Sequence, residues 1–262
     1  MALSHAGTRT PGRWFVVPMR CAAPRWRLVC FPYAGAGASA YFSWARHLAT
    51  RETEVWNVQY PGRENRLAEE PVRGFAPRVQ QVMDALRPLE ADGVPLAFFG
   101  HSMGALLAHE VACQLFREGR ALPAVLFLSG RNAPSHRSEP RRLHHLPRNE
   151  LLDALAEYGN LSDAIRNEPD LIDLLLPAIR GDFALLDDYH QNRAAGHVPR
   201  LPCQMSVFGG EQDPWTQADA LANWQEYTSG RFRLRTYAGA HFFINEFRQA
   251  IWRSIEDDLP CL

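Results

Sequence analysis

The sequence contains no lysine. All 28 basic residues among its 262 are arginine, as a GC-rich coding sequence would give. Against 29 acidic residues they leave a formal net charge of −1, so no basic domain exists for wholesale nucleic-acid binding. Cysteine is sparse. Five residues, Cys21, Cys30, Cys113, Cys203 and Cys261, are scattered without a C-x-x-C pair. That pattern argues against a disulfide framework or a structural zinc site. No stretch approaches the ~18 consecutive apolar residues of a membrane span. The opening MALSHAGTRTPGR has no apolar run of the signal-peptide kind. A cytoplasmic protein is expected, with no membrane or nucleic-acid partner.

What is present is ordinary for a globular chain. Its composition is 46% hydrophobic, and a chain of this length can bury a core without disulfide or metal support. Residues 1–13 read as a disordered N-terminus and 14–262 as one domain. Short apolar runs bounded by Gly or Pro read as strands: Arg27 to Phe31, Glu54 to Tyr60, Pro95 to Gly100, Ala124 to Gly130, Cys203 to Gly210 and Arg231 to Gly239. Their near-continuous apolar character suits a sheet covered on both faces. Helical patterns lie between them. Phe75 to Leu89 sets Val79, Val82, Met83 and Leu86 on one stripe, and Ala105 to Gly119 ends at a capping glycine. Ala218 to Ser229 and Phe247 to Leu259 read as the last two helices. The alternation predicts an α/β fold with a mostly parallel sheet.

One segment breaks the rhythm. Between about 135 and 200 there is no strand pattern, only the helical runs Glu150 to Gly159 and Asp170 to His190. Pro177 is expected to end or kink the second. This reads as a helical insertion, either packing on the core or forming a lid over the carboxyl edge of the sheet, where open α/β sheets bind ligands.

Gly100-His101-Ser102-Met103-Gly104 fits G-x-S-x-G. The pattern alone is weak, but an apolar strand precedes it and a helix follows. That setting is the nucleophile elbow of the α/β-hydrolase fold. A serine hydroxyl needs a general base, and the base needs an orienting acid, in the chain order Ser, acid, His. Of ten histidines, His241 alone follows the last strand, in TYAGAHFFINE. The acid should leave the preceding strand, where EQDPW offers Asp213, with Glu211 in the turn as a neighbour. Asp187 and Asp188 sit on an insertion helix, and SGRNAP after the earlier strand holds no carboxylate. One oxyanion N–H should come from Met103, after the nucleophile, and the other from the Gly-rich loop Phe31 to Trp44. GAGAS in that loop lacks the G-x-G-x-x-G spacing of a dinucleotide site. These residues specify a serine hydrolase. They leave ester, amide and thioester open, while the complete Ser102, Asp213, His241 set speaks against a catalytically dead binding module.

The segments FPYAGAGASAYFSW, VQYPGRENRLAEEP, FFGHSMGALLAHEVA, LLLPAIRGDFALLDDY, VFGGEQDP and GAHFFI are similar, in order, to those of type II thioesterases. These are the free-standing editing enzymes of polyketide and nonribosomal peptide synthases. The resemblance implies a triad of Ser102, Asp213 and His241 with oxyanion donors at Met103 and Ala34. It implies acyl or peptidyl carrier protein domains as partners, no cofactor beyond the phosphopantetheine on the substrate, and a monomer. Where the family loop usually reads P-H-A-G-G, this chain has Tyr33 and Ala36, which bears on the wall of the acyl site. Arg137, Arg141, Arg142 and Arg148 could meet an acidic carrier or could be a solvated linker. Leu174, Leu175, Ile179, Phe183 and Leu186 are candidates for the acyl pocket. The competing chemistry is a carboxylesterase or lipase acting on oxygen esters.

Overall fold

A computed structural model describes residues 12–136, 142–159, 166–192 and 198–260. Residues 1–11, Arg137, Arg141, His197 and Cys261 lie outside these. The strands are β1 (Phe15–Val16), β2 (Trp26–Phe31), β3 (Thr53–Val58), β4 (Leu96–His101), β5 (Val125–Ser129), β6 (Gln204–Gly210) and β7 (Phe232–Tyr237). They form one sheet in the order β1-β3-β2-β4-β5-β6-β7. Neighbouring strands from β3 through β7 are parallel, and only β1 pairs antiparallel, at the edge against β3. The six sequence-predicted strands are all present. β1 was not anticipated: two residues carry no period.

Side-chain alternation divides the core into two layers. Val29, Phe31, Phe98, Leu126 and Leu128 point to one side, where they meet α2 (Phe75–Glu90) and α3 (Met103–Arg117). Leu28, Cys30, Ala97, Phe99 and Phe127 point to the other, against α1 (Phe42–Ala49) and α8 (Arg248–Asp258). Each of these strand residues is fully buried. A buried aliphatic or aromatic side chain contributes about 1.5–3 kcal/mol, so strands apolar on both faces are the main source of stability here. α1 begins within what the sequence suggested as a Gly-rich loop and runs past its end. Its Trp44, Ala45 and Leu48 stripe was obscured by the glycines before it.

The insertion carries α4 (Arg148–Glu157) and α5 (Pro169–Asn192), and no strand occurs among its described residues. It has a small core of its own, with Leu151, Leu155, Ile172 and Leu176 packed together. α5 continues past Pro177 instead of ending there. Pro177 and Asp173 both lie on the exposed side, where water can take the carbonyl that the proline leaves without a donor. The helix expected over 218–229 is also shorter. α6 (Ala218–Ala222) gives way to a 3-10 turn at Asn223–Tyr227, which buries Trp224 and Tyr227 under α3. α7 (Phe243–Glu246) then leads into α8.

α8 is pinned by one carboxylate. Asp258 is buried, accepts from Ser206 Oγ at 2.6 Å, and takes the Arg235 guanidinium at 2.6 and 3.0 Å, with Arg233 beside it. Asp258→Asn is expected to lower the urea midpoint by the equivalent of about 2 kcal/mol. Turnover should be unchanged, since this cluster lies away from the cavity described next.

Candidate active site

β4 ends at His101 and α3 begins at Met103, so Ser102 alone makes the turn. Its backbone takes φ 53° and ψ −116°, a region that L residues avoid at a cost of about 1–3 kcal/mol. The Ser102 N–H donates to Ser129 O at 2.8 Å, and the Ser102 carbonyl accepts from Ala105 N–H at 3.1 Å. The flanking glycines are required by space. A Cβ on Gly100 would lie 2.2 Å from the Gly104 backbone, and a Cβ on Gly104 would lie 2.0 Å from Phe31 O. The first turn of α3 therefore rests directly on the end of β2.

Asp213 follows β6 and His241 follows β7, so both reach the same sheet edge as Ser102. His241 Nδ1 lies 2.8 Å from Asp213 Oδ2. Asp213 also accepts from Trp215 N–H and from Thr216 Oγ1, each at 2.9 Å. These bonds fix the carboxylate within its own turn; it does not cap α6, which starts at Ala218. With Nδ1–H committed to Asp213, Nε2 of His241 is the basic nitrogen. The His101 ring lies beside that of His241, with centroids 5.0 Å apart and the planes tilted by 49°. Burial pushes the His101 pKa well below its usual value, and the neighbouring His241 adds to this. It stays neutral and puts no second cation beside the base.

The other carboxylates weighed from sequence are engaged elsewhere. Glu211 accepts from Thr236, Asp188 from Phe75 N–H, and Asp187 lies 2.8 Å from His144.

Ser102 and His241 line one cleft of about 810 Å³, part of it open to solvent. No hydrogen bond joins the two side chains among the described residues. Such bonds are often long before substrate binds. Leu155 and Tyr158 of the α4 end and Phe183, Leu186 and Tyr189 of α5 form the opposite wall. Of the five apolar candidates, Phe183 and Leu186 line the cleft, whereas Leu174 is exposed and Ile179 packs on Gly35. Tyr33 stands in the wall beside Ala34, edge-on to Phe242 at 4.9 Å and to His101 at 5.9 Å. Arg131 also faces the cleft. Its guanidinium meets His190 Nε2 at 2.9 Å, and among the described residues no carboxylate pairs with it. Sequence reading missed Arg131, because its neighbour in space is 59 residues away.

The loop after β2 presents Ala34 to the cleft. Among the described residues the Ala34 and Met103 N–H groups have no acceptor in the chain. Three N–H groups that follow Ala34 are engaged. Gly35 N–H donates to Asp182 Oδ2 at 2.9 Å, Ala36 N–H to Tyr33 O at 3.0 Å and Ala38 N–H to Gln59 Oε1 at 2.8 Å. Among the described residues no three His, Cys, Asp or Glu side chains gather as metal ligands, and no helix is long and apolar enough to cross a membrane.

Comparison with known proteins places the chain in one family. Residues 26–259 match the thioesterase domain family. The gramicidin S biosynthesis protein GrsT of Aneurinibacillus migulanus is 35% identical over 89% of this chain and 89% of its own. The type II thioesterase BorB from the borrelidin biosynthetic cluster superposes with a TM-score of 0.84 at 34% identity, covering 94% of this chain and 98% of that one. RedJ, the thioesterase of the prodiginine pathway in Streptomyces coelicolor, gives 0.83 at 37% identity over 91% and 92%.

Gly104→Ala tests the elbow. The added methyl meets a strand carbonyl that cannot move aside, and overpacking of this kind costs about 1–3 kcal/mol or more. The expected result is a lower denaturation midpoint together with slower labelling of Ser102 by a fluorophosphonate. Labelling at the wild-type rate would show that the tight contact does not shape the site.

Proposed function

This chain belongs to the thioesterase family, and from its site we propose that it hydrolyses acyl groups from the phosphopantetheine thiol of carrier protein domains in a polyketide or nonribosomal peptide synthase. The observation that carries the reading is the Asp213–His241 pair, hydrogen-bonded at 2.8 Å, whose histidine lines one cleft with the strained Ser102. The biosynthetic setting rests on the relatives, which include a type II thioesterase and a gramicidin S biosynthesis protein.

In the first step Ser102 Oγ attacks the thioester carbonyl while His241 Nε2 takes its proton. Asp213 holds the imidazole in the required tautomer and stabilises the imidazolium. The oxyanion accepts from the Met103 and Ala34 N–H groups, which have no acceptor among the described residues. The thiol leaves with the proton from His241, giving an acyl-Ser102 enzyme. Water, deprotonated by His241, then attacks, and the acid departs. The insertion wall of Phe183, Leu186 and Tyr189 lies against the acyl chain. Clearing stalled or misprimed chains, in the cytoplasm and as a monomer, is the role this chemistry suits. Arg142 and Arg148 flank the entry to the insertion; Arg148 already pairs with Asp173 at 3.0 Å, which leaves Arg142 the better placed for an acidic carrier.

Two measurements test the reading. Ser102→Ala should abolish both hydrolysis and fluorophosphonate labelling, and Asp213→Asn should lower kcat by roughly 10⁴-fold, the scale for loss of the orienting acid. An acyl-pantetheine thioester should be cleaved with higher kcat/KM than the matching oxygen ester. Preference for the oxygen ester would make the protein a carboxylesterase.

A further inference from the structure

The segment Tyr60 to Arg66, PGRENR with its preceding tyrosine, has no part in the chemistry above. The structure gives it one. Arg63 is buried and grips Asp182 of α5 with both arms of its guanidinium, Nη1 to Oδ2 at 2.6 Å and Nη2 to Oδ1 at 2.9 Å. The same Nη1 donates to Ala36 O at 2.9 Å, and Asp182 Oδ2 accepts from Gly35 N–H at 2.9 Å. One ion pair thus holds both a donor and an acceptor of the loop that bears Ala34. Gly35 has φ +79°, and a Cβ there would lie 3.0 Å from Ile179 Cγ1, so α5 also packs directly on the loop.

Around this point the structure is sealed. Asp182 and Arg78 are fully buried, Arg78 Nη1 lies 3.8 Å from Asp182 Oδ1, and both guanidinium groups lie by the Tyr60 ring. Gln59, kept in place by Arg63 O at 2.9 Å, carries Ala38 N–H. Gly35, Ala36 and Ala38, which follow Ala34, are therefore held by long-range side-chain bonds, while the Ala34 N–H is left free among the described residues. A preorganised oxyanion donor requires this, because a donor already aimed costs no reorganisation when charge develops.

We propose that Arg63 and Asp182 are positioning residues for the Ala34 oxyanion donor, and that through them the seating of the insertion helix α5 sets the donor's geometry. The inference rests on the triad reading given above. It makes the insertion more than a wall of the acyl cleft: an enzyme whose α5 is displaced lacks a properly aimed hole even with Ser102, Asp213 and His241 intact.

The test compares Asp182→Asn, Arg63→Lys and the double variant Arg63→Met with Asp182→Leu. The last removes the clasp with both of its charges; it is made in an Arg78→Met background, because Arg78 also faces Asp182 and would otherwise stay buried without a counter-charge. Substrates are a short acyl-pantetheine thioester and its p-nitrophenyl ester, and the inhibitor is a trifluoromethyl ketone of the same chain, which forms a tetrahedral oxyanion on the serine. In variants that melt cooperatively, kcat is expected to fall by about 10²-fold for both substrates, the scale for one lost oxyanion donor. KM should stay near wild type, and the inhibitor should weaken in step with kcat. A rise in KM with kcat unchanged, or unchanged inhibitor affinity, would overturn the proposal and leave the pair a structural tie. The rate of fluorophosphonate labelling separates this from the substrate question. If the wild type labels at Ser102 yet ignores the thioester, the thioesterase reading fails, and slower labelling in the variants still supports the clasp.

Discussion

The site depends on the contact between Gly104 and the carbonyl of Phe31. It brings the first turn of α3 onto the end of β2 closely enough that no side chain fits between them. Two consequences follow from one close approach. Ser102 is forced into its strained turn at the strand-to-helix junction, and Met103 N–H is brought beside the loop that leaves β2 with Ala34. The strain of the turn is offset by the Ser102 N–H bond to Ser129 and by a core buried on both faces of the sheet. The turn at Ser102 and the position of Met103 N–H are thus set by backbone packing, whereas the loop that bears Ala34 is held by side chains from elsewhere in the chain.

Around the cleft, electrostatics divides into two separate buried systems. Asp213 meets three donors at 2.8–2.9 Å, and its charge serves the imidazole of His241, with His101 kept neutral alongside. Asp182, far away in sequence, serves Arg63, Arg78 and the loop. A buried ion pair is weak support for stability, because desolvation cancels much of the attraction. Its use here is geometric. The fork of a guanidinium and the two oxygens of a carboxylate fix direction as well as distance, and the loop beside Ala34 takes its shape from them.

The placement of Ser102, Asp213 and His241 at one sheet edge was legible in the sequence because local pattern determines it. A buried strand, a small-Ser-small turn and a helix are contiguous, and the order of acid and histidine after β6 and β7 follows from the topology. The clasp was not legible. Arg63 and Asp182 are 119 residues apart, and Asp182 looks like any acidic residue on an amphipathic helix. The PGRENR run could be noticed as a resemblance but not explained, since its partners come from another part of the chain. Arg131 was hidden for the same reason. The glycines before α1 masked a real helix, and Pro177 suggested a break because the sequence does not show that its lost hydrogen bond faces water.

The central claim is that an acyl group passes from a carrier thiol to Ser102. It is tested most directly by mixing the enzyme with acyl-loaded carrier protein, quenching within milliseconds and reading intact and peptide masses. The account expects a transient adduct of the acyl mass on the peptide holding Ser102, decaying as free acid appears, and absent from Ser102→Ala. Release of acid without any adduct on that peptide, or at an equal rate by Ser102→Ala, would contradict it.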